Sequence, residues 1–440
     1  MQTSLTLFAR ASSWIEGESN RQLEQVAALP GMLKVAGFPD LHPGKGGPVG
    51  AAMLSEGMFY PYLVGSDVGC GMALFATELV SAKAKLEKWS KKLCGFEHPW
   101  EGDTLEWLQK YGAEALGSSS TLGSIGMASI DECSEHFRGF TSSLGTIGGG
   151  NHFAELLKVQ DIIDGVTFRF HGLDGDYLFL LVHSGSRGLG ELLCQNHVTH
   201  YRDAGLCVEG DAVSEGRYPG ATYLHRHDYC VHWATANREL IAHRFLGQLG
   251  SEYFRILDSP HNSITCIEHL GKSYFLHRKG AAPTDSSRDK MYFGQNQFLN
   301  KPRNAVPGKR EDDTGVWPGR LYEVENEELI IIPGSRGSLS YLVKPIGDQS
   351  NNLWSIAHGA GRKWSRSECE GRLREWYSSD SMKKTKLGSY VVCDDKALLY
   401  EEAPQAYKDI DAVVADLVSF GLVQVVATFT PVLTYKAKGR

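Results

Sequence analysis

The chain has nine cysteines but no Cys-x-x-Cys pair and no paired spacing anywhere in its 440 residues. That argues against a disulfide scaffold and for reduced thiols in a cytoplasmic protein. Long apolar runs are missing too. No stretch approaches the roughly 18 residues of a membrane span. The opening segment, MQTSLTLFARASSWIEGES, has no apolar core behind a basic start, so neither a secretory signal nor a membrane partner is expected. Positive charge is not in excess: 45 Lys and Arg face 52 Asp and Glu, for a net charge of −7. A basic nucleic-acid coat is thereby excluded. A local basic groove is not, because the field in a cleft is set by nearby charges. No fixed-period repeat is present, which excludes a solenoid.

What is present is a globular composition, 42% hydrophobic and 22% charged, long enough for a sizeable core. Much of the glycine sits in tight clusters, which marks special backbone sites rather than low complexity. The stretch LWSIAHGAGRKWSR at 353–366 stands out. Apolar residues deliver His358, then Gly359, Ala360 and Gly361 follow, then Arg362, Lys363 and Arg366. Small residues let a bulky group approach the imidazole, and the cations can hold a polyanion beside it. His358 therefore reads as a nucleophile toward a phosphate. The plainer alternative is a helix start with a core histidine and a solvated basic face.

Along the chain, Ser4–Phe8 reads as a strand and residues 16–28 as a helix stopped by Leu29–Pro30–Gly31. VAGFPDLHPGKGGPVGAA at 35–52 reads as a strand running into a loop that carries Asp40 and His42, a turn or a site wall. GSDVGCG at 65–71 sets Asp67 and Cys70 three apart among glycines, a donor pair for a metal ion. Residues 78–140 carry amphipathic helical pattern, with a small polar loop at 118–129. GTIGGGNHFAELL at 145–157 places Asn151, His152 and Glu155 behind three glycines. YLFLLVHSGSRGLG at 177–190 is an apolar strand ending in His183. LIIIPGSRGSLSYLV at 329–343 repeats that plan, and both loops contain Gly-Ser-Arg-Gly, suited to phosphate oxygens. Residues 191–260 read as helical and histidine-rich, and those histidines, His225 and His227 included, read as core or surface. DSPHNSI at 258–264 presents His261 and Asn262, and FLHRKGAA at 275–282 presents Arg278 and Lys279. Residues 283–318 read as a long surface segment. A helix then leads to a strand at 423–429 and a tail bearing Lys436.

Six of these motifs share one form: an apolar strand or turn, then His, Cys or Asp among small residues. Five metal-ligand candidates beside a separate histidine and cations fit metal-assisted phosphoryl or nucleotidyl transfer. A Cys/His/Asp set alone suggests zinc; a wider site accepting extra oxygens suits manganese.

In order, GSDVGCG, GTIGGGNHFAE, VHSGSRGLG, HN, HRKGA, PGSRGSLSY, HGAGR and EAPQAYKDID resemble the motifs of the RtcB family of RNA-splicing ligases over nearly the whole chain. The resemblance implies that family's α/β architecture: one domain over residues 1–440, with mixed sheets and helices around a central metal and nucleotide cleft. It implies GTP and two manganese ions as cofactors. The RNA would be a broken tRNA or ribosomal RNA whose 2′,3′-cyclic phosphate or 3′-phosphate is joined to a 5′-hydroxyl. His358 would become guanylylated. Asp67, Cys70, His152, His183 and His261 match the metal ligands. Asn151, His152, Phe153, Ala154, Glu155, His261, Asn262, Pro333, Gly334, Ser335, Arg336, Ser340, His358, Gly359, Ala360, Gly361, Tyr407 and Lys436 match guanylate contacts. Glu155 can accept from guanine N1 and N2, a route to GTP over ATP. Arg187, Arg278 and Arg362 are candidate RNA contacts.

Three departures accompany the match. Ala282–Pro283 replaces the family's Thr-Arg, PGSRG replaces PGSMG, and Lys436–Ala437 replaces the terminal Lys-Gly. They raise the expectation of a divergent branch that repairs damaged ribosomal RNA. A release-factor homologue or an activating protein is a candidate partner. The rivals are a zinc hydrolase using the same Asp/Cys/His cluster and a non-enzymatic RNA-binding protein.

Overall fold

The run YLFLLV at 177–182 has apolar side chains at every position, so a strand built from it must be covered on both faces. That is how it sits. Leu178, Leu180 and Val182 share one buried cluster with Ile241, Ala242, Phe245 and Leu246 of the Gly220–Leu249 helix. Phe179 and Leu181 point the other way, into a cluster with Leu157, Phe168 and Phe429.

The computed structural model describes residues 3–111, 142–207, 220–285 and 328–438. Its first strands are Ser4–Leu7 (β1), Met32–His42 (β2), Val49–Glu56 (β3) and Gly71–Val80 (β4). Phe153–Ile162 (β5), Tyr177–Ser184 (β6), Tyr253–Pro260 (β7), Asn262–His269 (β8) and Lys272–Lys279 (β9) follow. The last are Ala281–Pro283 (β10), Ile330–Pro333 (β11), Ser340–Pro345 (β12), Ser355–Ala357 (β13), Tyr390–Val392 (β14) and Val423–Tyr435 (β15). The larger sheet runs β11-β12-β15-β5-β6-β4-β7, with β14 beside β15. A second sheet runs β1-β2-β3-β9-β8, and β10 pairs with β13. A third cluster joins Phe38, Ile356 and Ala357 to Ile410, Val413 and Leu417 of the Ile410–Ser419 helix, directly beneath His358.

Several sequence expectations shift. The first helix is Gly17–Ala27, close to its expected bounds. Asp40 and His42 lie on β2 rather than in a loop, because Phe38 and Leu41 carry the buried pattern through them. Residues 253–260 form β7, not helix: Gly250, at φ +73°, stops the preceding helix in a conformation other residues rarely adopt. The final strand continues to Tyr435, past the expected end at Phe429. In the amphipathic region, Leu86–Lys92 and Thr104–Tyr111 are helical. The polar loop expected at 118–129 lies outside the described residues, as does most of the segment at 283–318.

Candidate active site

Strand register explains how ligands from four distant segments meet. In the larger sheet, Phe153 of β5 pairs with His183 of β6, His183 pairs with Met72 of β4, and Gly71 pairs with Pro260 of β7. His152, His183, Cys70 and His261 therefore form one row across adjacent strand ends. The loop carrying Asp67 and Cys70 is sewn to its neighbours: His261 N–H donates to the Cys70 carbonyl at 2.8 Å and Gly69 N–H to the Asn262 carbonyl at 2.8 Å. The Gly220–Leu249 helix holds the row from behind. Arg238, with a side chain wholly buried, pairs with Asp258 and donates to the carbonyls of Gly69 and Ser184. Asn237 beside it binds the carbonyls of Thr146 and Gly185. Gly185 is needed for space, since a Cβ there would lie 2.0 Å from Asp67 Oδ1.

Cys70 Sγ lies 3.3 Å from His152 Nε2 and 3.2 Å from His183 Nε2. His152 Nε2 is 2.9 Å from Asp67 Oδ2. The ring of His261 lies tilted against that of His183, centroids 5.2 Å apart. His183 Nδ1 faces the Asn151 carbonyl at 3.2 Å, so it carries the proton and Nε2 turns a lone pair toward Cys70. Burial, then nearby imidazoles, hold His183 and His261 well below the usual histidine range, hence neutral. Burial, then the Asp67 carboxylate, push the Cys70 thiol well above its ordinary value. Burial would raise the Asp67 carboxyl, but His152 and Arg187 outweigh it and hold the group low. His152 Nδ1 and His261 Nδ1 are buried with no hydrogen-bond partner among the described residues. Thiol, neutral imidazoles and a carboxylate at these separations fit a divalent transition ion, whose binding would displace the thiol proton.

His358 follows β13, and its ring lies tilted against that of His261, centroids 4.5 Å apart, at the end of that row. The fully buried Asp40 supplies one oxygen, Oδ2, to both its Nδ1 (2.8 Å) and its backbone N–H (3.2 Å). A carboxylate only accepts, so Nδ1 carries the proton and Nε2 keeps a free lone pair. Gly361, at φ +72°, lets the chain turn away immediately: a Cβ there would lie 2.2 Å from the Asp40 carbonyl oxygen.

From His358 a cavity of about 920 Å³ runs to Glu155, Arg336, Tyr407 and Lys436. This far end is built from ion pairs. Buried Glu402 accepts from the Tyr407 hydroxyl, sits 3.0 Å from Arg362 and 3.4 Å from Arg366, and faces Lys436 at 3.7 Å. Burial opposes its charge, yet Lys436 and the arginines hold its carboxyl down to about 2. Glu155 is the opposite case. Burial pushes it up to about 7, although Thr434, Lys436 and Arg336 all favour the carboxylate. On the other side of Asp67, a separate cavity of about 460 Å³ is lined by His152, Arg187 and Lys438.

The structure thus gathers Asp67, Cys70, His183, His261 and His358 with Asn151, Phe153, Glu155, Asn262, Pro333, Gly334, Ser335, Arg336, Gly359, Ala360, Gly361, Arg362, Tyr407 and Lys436 around one cavity. Ala154 and Ser340 are buried behind its wall. Arg278 is a correction. Alternation along β9 turns Lys279 to the cavity and Arg278 inward, where it is 1% exposed and bound to Asp285, Ser355 and Thr265. It braces β13 under His358 and does not face an RNA. His225 is exposed, and His227 is buried, taking the Ile264 N–H at 2.9 Å, as the plain expectation had it. Sequence reasoning missed Arg238 and Asn237, which carry no local signature because each acts across the fold; it gave no role to Glu402, although that residue opens the EAPQAYKDID motif, and left Asp40 open as turn or wall.

A family model described as "tRNA-splicing ligase RtcB" matches residues 22–314 and 315–437. The chain is 40% identical over 426 residues to "RNA-splicing ligase RtcB2" of Escherichia coli, covering 97% of this chain and 94% of that protein. It is 28% identical over 468 residues to "RNA-splicing ligase RtcB homolog 1" of Entamoeba dispar, covering 94% and 81%. It is 27% identical over 458 residues to "tRNA-splicing ligase RtcB" of Methanococcus maripaludis, covering 89% and 86%.

Proposed function

The chain belongs to the RtcB family, and from that premise we propose that it is a GTP- and manganese-dependent RNA ligase working through a guanylylated His358. One observation carries the proposal. His358 has its Nδ1 fixed by Asp40 and its ring against His261, at the junction of a ligand row and a nucleotide-sized cavity.

Nε2 of His358 attacks the α-phosphorus of GTP and pyrophosphate leaves. Asp40 holds the ring and its tautomer and stabilises the charge the imidazole acquires. Asp67, Cys70, His152, His183 and His261 would hold the manganese ions. When bound, these supply charge neutralisation for the phosphates and oppose protonation of His358. At the far end, Glu155 accepts from guanine N1–H and N2–H, while Phe153 and Tyr407 supply aromatic walls near Lys436 and Arg362. An oxygen of the RNA 3′-phosphate then attacks the phosphorus on His358, releasing the histidine and forming an RNA-3′-pp-5′-G end. The 5′-hydroxyl of the second RNA attacks the 3′ phosphorus, and GMP leaves. A 2′,3′-cyclic phosphate must first be opened to the 3′-phosphate. Arg187 is the proposed phosphate contact, while Arg362, tied to Glu402, Tyr407 and the carbonyls of Trp364 and Glu401, shapes the nucleotide end instead; the RNA is a broken tRNA or ribosomal RNA. A release-factor homologue or an activating protein is the proposed partner. Among the described residues, no helix is long and apolar enough to cross a membrane.

The test is incubation with α-labelled GTP and manganese, then denaturing electrophoresis. An acid-labile labelled band, lost in His358→Ala and lost with a chelator, is expected. Protein that binds manganese but gives no band would sink the proposal and favour metal-dependent hydrolysis at the same cluster.

A further inference from the structure

Asp40 is aimed at His358 with almost nothing holding its own side chain. Oδ2 takes both N–H groups of His358, and the buried Oδ1 has no hydrogen-bond partner among the described residues. The direction of the carboxylate is therefore set by its backbone. That backbone is irregular. Gly37 of β2 pairs with Ala51 of β3 and the next pair is His42 with Val49, so β2 takes five steps where β3 takes two. The extra length makes a bulge, and the ladder to β3 no longer fixes residues 38–41. On the other side, the pairing of β1 with β2 ends at Gly37.

Lys408 stands in for the missing ladder. Its Nζ donates to the Pro39 carbonyl at 2.9 Å and to the Leu41 carbonyl at 2.6 Å, one on each side of Asp40. The carbonyl between them, that of Asp40, takes His42 Nδ1–H at 2.9 Å. An ammonium offers three divergent donors at one point, enough to span carbonyls two residues apart. Lys408 is 9% exposed, and its ammonium lies over the Trp14 ring, 5.5 Å from the centroid. Its backbone N–H donates to the Gly361 carbonyl at 2.9 Å, in the loop that carries His358. One residue thus ties the strand of the carboxylate to the loop of the nucleophile, without itself lining the cavity.

We propose that Lys408 is a positioning residue for guanylyl transfer: by clasping the carbonyls on both sides of Asp40, it fixes the carboxylate on His358 Nδ1. This rests on the reading of His358 as the nucleophile. Lys408 touches neither nucleotide nor metal and acts only through Asp40.

The test is a double-mutant cycle on the rate of labelling by α-labelled GTP with manganese, in the wild type, Lys408→Met, Asp40→Asn and the double variant. Misplacing a reacting group's support costs up to about a hundredfold, so Lys408→Met should lose roughly ten- to a hundredfold at saturating GTP. Its KM for GTP, and its manganese binding by calorimetry, should stay within about threefold of wild type. In the Asp40→Asn background the same substitution should cost less than about threefold, because the carboxylate it serves is gone. If Lys408→Met does not fold, Lys408→Arg enters the same cycle. It keeps the charge and donors but sets them on a longer, planar head, and its loss should likewise vanish beside Asp40→Asn. Losses that multiply in the double variant would overturn the proposal, as would a loss carried by KM alone. A rate within about threefold of wild type in the Lys408 variant that folds would overturn it equally. A wild-type protein that binds manganese but takes no label would overturn the underlying reading instead.

Discussion

The two ends of the cleft solve the problem of buried polarity in opposite ways. At one end, His183 and His261 are neutral, the Cys70 thiol holds its proton, and two imidazole nitrogens have no partner among the described residues. At the other, Glu402 is fully charged and ringed by Arg362, Arg366, Lys436 and Tyr407. The first end is electrostatically unfinished and suits a cation. At the second the buried Glu402 carboxylate is fully paired, and the end suits a base that brings hydrogen bonds to Glu155. His358 sits where they meet, so a nucleotide lying along the cleft would set its phosphates toward the first end and its base toward the second.

Breaking the junction should have the largest effect. In Asp40→Asn the imidazole loses the carboxylate that stabilises the charge it acquires on attack, and keeps at most a neutral amide oxygen on Nδ1. Guanylylation at saturating GTP should fall by roughly 10²- to 10⁴-fold. Manganese binding, followed by calorimetry, should hold, because no proposed ligand changes. A rate within about threefold of wild type would remove Asp40 from the mechanism.

Arg238 tests whether the row of ligands depends on the helix behind it. Arg238→Met strands the Asp258 carboxylate in the interior and leaves the carbonyls of Gly69 and Ser184 without their donor. Breaking a buried pair from one side costs about 3–5 kcal/mol. Denaturant unfolding should show that loss, together with weakened manganese binding. At the far end Glu402 has four partners and tolerates the loss of an exposed one such as Arg366. Unfolding unchanged to within about 1 kcal/mol would mean that the row stands without the helix.

The same contrast governs what could be read from the sequence. Asp67, Cys70, His152, His183 and His261 stood out because each sits among small residues at the tip of an apolar strand, and tips are where sheets present chemistry. His358 stood out by its glycines. Asp40 did not, because a buried carboxylate on a strand looks locally like any polar residue before a turn. Arg238 was silent for the same reason: its partners are distant in sequence, and helical periodicity says nothing about what a buried charge meets. Arg278 and Lys279 misled as a pair. Both are cations at a strand end, and only the pleat decides which faces the cavity. The strand at 253–260 was masked by polar residues that alternate poorly, with Gly250 the one signal of a change.

The smallest expected effect isolates the nucleotide end, and its sign runs opposite to intuition. Glu155 rises to about 7 in the folded protein from an ordinary value near 4.5, through burial. A raised carboxyl contributes stability while protonated. That contribution is full below about pH 4.5 and is lost as pH climbs through about 7. By about pH 8 the ligand-free protein therefore carries the whole penalty of an ionised, buried carboxylate, which guanine's two donors would relieve. Glu155→Gln is neutral throughout, and its amide oxygen can still take the Thr434 hydroxyl. The variant should melt as the wild type does near pH 4.5 and gain about 1–3 kcal/mol over it at about pH 8. Its guanylylation should nonetheless fall roughly tenfold or more at subsaturating GTP, because an amide sets a donor against a donor of the base. In the wild type, the apparent KM for GTP should rise as pH drops below about 7, since the proton and the guanine compete for one carboxylate. A glutamine variant less stable than wild type at about pH 8 would show that the carboxylate is satisfied without a ligand, and that this end of the cleft is as finished as Glu402 alone would make it.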